Sequence, residues 1–150
     1  MPDPRPLILL VDDQPDVRFM LSLFLEDEQL EFHEASSGEA ALERLAAGDY
    51  ALMLLDQRMP PGMSGIEVAE QLRADGDEIP ILLYSAFLDP AVEERARRLG
   101  LQTVAEWVQD EQAASILAGW GCDYLQGALV GLATTDRPWL VAPGANAASA

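Results

Sequence analysis

The sequence predicts an α/β protein built on a parallel sheet, and three observations carry that prediction. Short apolar runs bounded by turn signals recur along the chain. Helical patterns with one apolar face fill the gaps between them. The two alternate in the order βαβαβαβαβαβ, which a single sheet with right-handed crossovers satisfies. The runs are continuous rather than alternating, as strands buried on both faces require.

The first strand is "LILLV" (7–11). In "PDVRFMLSLFLEDEQ" (15–29), Val17, Met20, Leu21, Phe24 and Leu25 repeat at helical spacing, and Pro15 suits a first turn. "LEFHEAS" (30–36) is a weak strand, and "SGEAALERLAAG" (37–48) a helix with Leu42 and Leu45 on one face and Gly48 as its stop. "ALMLL" (51–55) and "ILLYS" (81–85) are the next two strands, with the helix "GIEVAEQLRADG" (65–76) between them. "DPAVEERARRLG" (89–100) opens on Asp89-Pro90, turns Val92, Ala96 and Leu99 inward, and stops at Gly100. "TVAEWV" (103–108), the helix "DEQAASILAGWG" (110–121) and "YLQGALV" (124–130) complete the series, and periodicity is lost in the tail 134–150.

A chain of 150 residues with 49% apolar content is one domain with an adequate core. The net charge is −17, from 26 acidic and 9 basic residues. Such a field repels nucleic acid and suits a divalent cation or a basic partner. All the basic residues are Arg, so no reaction here uses a lysine amine. The single Cys excludes an internal disulfide. No window holds the roughly 18 apolar residues of a membrane span. "MPDPRPLILL" is a poor signal peptide. The expected location is cytoplasmic.

Ligands of parallel α/β sheets sit at the carboxyl ends of the strands. There the sequence places Asp12-Asp13, Asp56 and Ser85-Ala86. Three converging carboxylates would raise one another's pKa values unless a hard cation such as Mg2+ neutralised them. A carboxylate in that setting is a nucleophile for phosphoryl transfer. The bland alternative for any one Asp is that it caps a helix, since Asp13 and Asp56 both precede turns.

"LVDDQPD", "LLDQRMPPGMSG" and "LLYSA", in this order and spacing, resemble the receiver domain of two-component response regulators over residues 7 to about 100. The resemblance implies a flavodoxin-like doubly wound sheet of order 2-1-3-4-5. It implies Asp56 as phosphoacceptor and Asp12, Asp13, Asp56 and the carbonyl of Arg58 as Mg2+ ligands. Ser85 would bind the phosphoryl group, with Ala86 leaving it room. The implied phosphodonor is a histidine kinase, and the implied output is a protein partner. Two departures stand out. "MPPGMSG" has one Pro more than the family's loop. The family's Lys-Pro at the end of the fifth strand is missing, its Lys position falling at Trp107. The alternative function is therefore a phosphate-independent pseudo-receiver, an interaction or homodimerisation module.

"LGLQTVAEWVQDEQAASILAGWGCDYLQGALVG" (99–131) resembles the last part of the EAL domain, the cyclic-di-GMP phosphodiesterase barrel. Glu106 matches an active-site carboxylate of that family and Gln126 a residue of its substrate side. The family's Glu-Ala-Leu tripeptide, Asp-Asp pair and lysine are absent, and one glutamate cannot support two-metal hydrolysis. The expectation is no enzyme activity and only a vestigial site, with residual cyclic-di-GMP binding as the weakest reading. Residues 1–100 then form the receiver portion, 99–133 complete the same domain with a sixth strand, and 134–150 trail. Cys122 is expected as a buried small hydrophobe and Trp107 and Trp120 as core or interface; His33 carries no catalytic signal.

Overall fold

A computed structural model describes residues 5–125 apart from 87, 107, 109 and 110. The elements follow the predicted order: β1 (Leu7–Val11), α1 (Pro15–Asp27), β2 (Glu31–Ala35), α2 (Gly38–Ala47), β3 (Leu52–Asp56), α3 (Gly65–Ala74), β4 (Ile81–Ser85), α4 (Pro90–Arg98), β5 (Gln102–Ala105), α5 (Glu111–Gly119) and β6 (Tyr124–Leu125). The sheet order is β2-β1-β3-β4-β5-β6. This is the 2-1-3-4-5 sheet expected, with a sixth strand beyond it. The tail 134–150, Trp107 and the part of the sixth strand after Leu125 lie outside the described residues.

The chain divides into two compact units, Met1–Tyr84 and Ser85–Ala150. In the first, β1 pairs in parallel with β2 and β3, and β3 with β4. Leu9, Leu10 and Val11 of β1 and Met53 and Leu55 of β3 have no exposed surface, which explains their unbroken apolar runs. β2 stands at the sheet edge and is mostly exposed, hence its weak signal. His33 on it hydrogen-bonds the Tyr50 hydroxyl at 2.8 Å. In the second unit β5 and β6 pair in parallel, Val104 opposite Tyr124, and Cys122 is fully buried as expected.

Local chemistry sets the helix boundaries. Ser37 and Asp89 cap α2 and α4 through their side-chain oxygens, and Ser64 and Glu67 form a capping box at α3. Gly76 and Gly100 follow α3 and α4 with φ of 83° and 72°, the left-handed region where glycine costs least.

One expectation fails in α1. The sequence placed Met20 and Phe24 on its packing face, but they are 65% and 58% exposed. Ser22 and Leu25 are buried and Val17, Arg18 and Leu21 half-buried, so Val17, Leu21 and Leu25 of the expected face are kept and Arg18 and Ser22 replace Met20 and Phe24. Arg18 is held inward because its guanidinium donates to the Asp12 carbonyl at 2.7 Å and pairs with Glu34 at 3.4 Å. Hydrophobic spacing could not reveal a stripe with an arginine in it.

Candidate functional site

The register of the sheet brings the carboxylates together. Val11 is the partner of Leu55, so Asp12 and Asp56 follow side by side at the carboxyl ends of β1 and β3. Ligand oxygens of Asp12, Asp13 and Asp56 lie within 4.8 Å of one another. Asp12 is 2% exposed, and Asp13 and Asp56 are half-buried. None of the three caps a helix. The cap of α1 is Gln14, which makes no side-chain cap bond, and that of α3 is Ser64.

Asp12 and Asp56 are oriented by donors. Asp12 Oδ1 accepts from the Gln14 N–H at 2.8 Å, and Oδ2 from the Tyr84 hydroxyl at 2.8 Å. Asp56 Oδ1 accepts from the Arg58 N–H at 3.3 Å. Asp13 Oδ1 is buried with no hydrogen-bond partner. A buried acceptor left like that is costly unless something else meets it. Burial pushes the Asp12 carboxyl up, the Asp13 charge adds to this, and the Gln14 and Tyr84 bonds oppose it. An added positive charge would answer both the repulsion and the orphaned oxygen, so the donor set fits a hard, oxygen-seeking divalent cation.

The loop from β3 to α3 is fixed from beneath. Gln57 is buried, its Oε1 accepts from the Ile66 N–H at 2.8 Å, and its carbonyl from the Gly65 N–H at 2.9 Å. A side chain at Gly65 would collide with the Asp56 carbonyl oxygen and come within 2.6 Å of Leu83 Cδ1. Glycine is required there so that α3 can start close under Asp56. Exposed Arg58 follows Gln57, and the extra proline of the loop forms a cis Pro60-Pro61 bond.

Ser85 ends β4 and is 2% exposed, and Ala86 after it is exposed. The Ser85 carbonyl accepts from the N–H of half-buried Glu106 at 2.9 Å, which sets Glu106 just past the end of β5. Gln126, the other EAL-like position, lies outside the described residues, as does Trp107. Sequence reasoning missed Tyr84, Gln57 and Arg18, which hold Asp12 and the Asp56 loop. Tyr84 was legible only as an apolar strand residue; the signal was its polar tip inside a buried run.

A parallel α/β sheet with an acidic cluster at the ends of its first and third strands defines a class of signalling module rather than a single activity. The family model described as the response regulator receiver domain matches residues 8–106, and this chain belongs to that family. Among curated proteins it is similar to the transcriptional regulatory protein SrrA of Staphylococcus aureus, 43% identical over 79 residues, or 53% of this chain and 32% of that one. The chain thus spans about a third of the length of the curated relatives it matches. Among solved structures, a response regulator receiver protein from Pseudomonas putida is 29% identical over 67% of this chain and 84% of that one, with a TM-score of 0.63. The response regulator protein TrrA from Thermotoga maritima, solved in complex with Mg2+-BeF, is 30% identical over 77% of this chain and 98% of that one, with a TM-score of 0.61.

Among the described residues no helix is long and apolar enough to cross a membrane.

Proposed function

We propose that this receiver domain accepts a phosphoryl group on Asp56 and relays the change to a protein partner. The observation that carries the reading is the triad of convergent carboxylates with the orphaned Asp13 Oδ1. Mg2+ would be held by Asp12, Asp13, Asp56 and the carbonyl of Arg58. Bound there, it would neutralise charge on the incoming phosphoryl group. The Asp56 carboxylate oxygen attacks phosphorus, a P–O bond forms, and the P–N bond to a kinase phosphohistidine breaks with imidazole leaving. Tyr84 and the Gln14 N–H keep Asp12 oriented. Ser85 binds the arriving oxygens and Ala86 leaves them space. The Mg2+-BeF complex of the similar Thermotoga protein supports the reading.

With beryllofluoride and Mg2+, calorimetry should register a binding change in the wild type and none in Asp56→Ala. No change in the wild type would end the phosphoacceptor reading.

A second reading is favoured by one observation: the chain has no lysine to contact the phosphoryl group. In it, the domain is a phosphate-independent interaction or dimerisation module. Sedimentation separates the two, because a dimer unaltered by beryllofluoride supports the second alone. In both readings, residues 99–133 act as scaffold completing the receiver. Glu106 and Gln126 then take no part in cyclic-di-GMP hydrolysis.

A further inference from the structure

We propose that Glu93 is a proton-operated clasp, fastening α4 to β5 and the start of β6 when neutral and releasing it when ionised. All the residues concerned lie in the Ser85–Ala150 unit. Val92 and Ala96 are the expected buried residues of α4, but Glu93 between them is only 4% exposed. A glutamate that deep is normally paired with a cation. Among the described residues this one is not: its Oε2 accepts from Thr103 Oγ1 at 3.0 Å, and its Oε1 is buried with no hydrogen-bond partner.

Among the described residues, the groups facing it form a polar cluster. The Thr103 N–H donates to Asp123 Oδ2 at 3.0 Å, and the Asp123 N–H donates back to Thr103 Oγ1 at 3.3 Å. Cys122 Sγ donates to the Tyr124 carbonyl at 3.0 Å. The charge that acts on Glu93 from these elements is that of Asp123, which is negative. On α4 itself, Asp89 caps Val92, while Arg97 and Arg98 pair with Glu94 on the exposed side at 2.7 and 3.0 Å. Burial pushes the Glu93 carboxyl up and Asp123 adds to it, against the opposing bond from Thr103. The Cys122 thiol is itself pushed up to about 11, by burial and then by Glu93, so it stays neutral and brings no compensating charge.

The sign follows. A carboxyl raised in the folded state contributes stability that is complete below its ordinary value and lost as pH rises through the raised one. The clasp is thus closed in acid and opens with rising pH. Ser85 lies five residues before α4 begins and bonds Glu106 after β5. Opening would therefore act on the segment between the proposed phosphate-binding serine and α4.

Hydrogen exchange on the full chain tests this, read as protection factors for peptides from 90–105 between about pH 5 and 8. Protection should fall by up to about tenfold per pH unit above the ordinary carboxylate range and level off once Glu93 is ionised in the folded state. In Glu93→Gln, which can keep the Thr103 bond, protection should be the same at all pH values. A flat wild-type profile, or an equal fall in the variant, overturns the proposal. Should the variant fail to fold, carboxyl carbon NMR on the wild type decides. A Glu93 midpoint in the ordinary carboxylate range overturns the clasp; one displaced upward supports it.

Discussion

Asp13→Asn should make the metal-free protein more stable, not less. Two full charges at 4.8 Å repel by about 3.5 kcal/mol at an effective dielectric of about 20. Asp13 and Asp56 are half-exposed, so screening reduces this to about 1–2 kcal/mol. Removing the Asp13 charge relieves that repulsion, and the amide still fills the carboxylate's space. Its effect on ligand binding runs the other way. A cation bound only by the folded wild type at 100 times its Kd adds about 2.7 kcal/mol, and the variant should lose most of that gain. Urea unfolding with EDTA and with excess Mg2+ measures both quantities. The variant should unfold at higher urea in EDTA and show little response to Mg2+. A variant less stable in EDTA that gains as much from Mg2+ as the wild type would refute the reasoning.

Other consequences are equally direct. Because burial raises the Asp12 carboxyl, metal-free stability should decline as pH climbs from the ordinary carboxylate range through the raised value, and excess Mg2+ should flatten that decline; thermal melts across pH read it. Tyr84→Phe strips Asp12 Oδ2 of its donor and should cost about 1–3 kcal/mol of stability in denaturant titration. Gly65→Ala forces a methyl against the Asp56 carbonyl and should cost about 1–3 kcal/mol while weakening Mg2+ binding, measured by calorimetry. Asp89→Ala removes the α4 cap and should cost about 1 kcal/mol without altering Mg2+ binding.

The parts of the fold that were legible in sequence are those where burial is symmetric. Strands covered on both faces must be apolar throughout, so β1, β3 and β4 declared themselves to within a residue. The carboxylates were legible because strand ends are where parallel sheets expose backbone and side chains to ligand. The illegible parts mix polarity with burial. Arg18 takes a packing position on α1 because it has the Asp12 carbonyl and Glu34 to bond, which displaces Met20 and Phe24 to the surface. Glu93 is buried among apolar residues of α4, where spacing alone marks only Val92 and Ala96. Tyr84 reads as one more strand hydrophobe until the register sets it opposite Asp56 and its hydroxyl reaches Asp12. Such positions are set by partners distant in sequence, 72 residues away in the last case.

The role of Asp56 is tested most directly by intact-mass spectrometry after incubation with acetyl phosphate. With Mg2+ present, the wild type should gain the mass of one phosphoryl group, and it should gain none in EDTA or in Asp56→Ala. A wild type that gains no mass with Mg2+, or an Asp56→Ala variant that gains as much, would contradict the assignment.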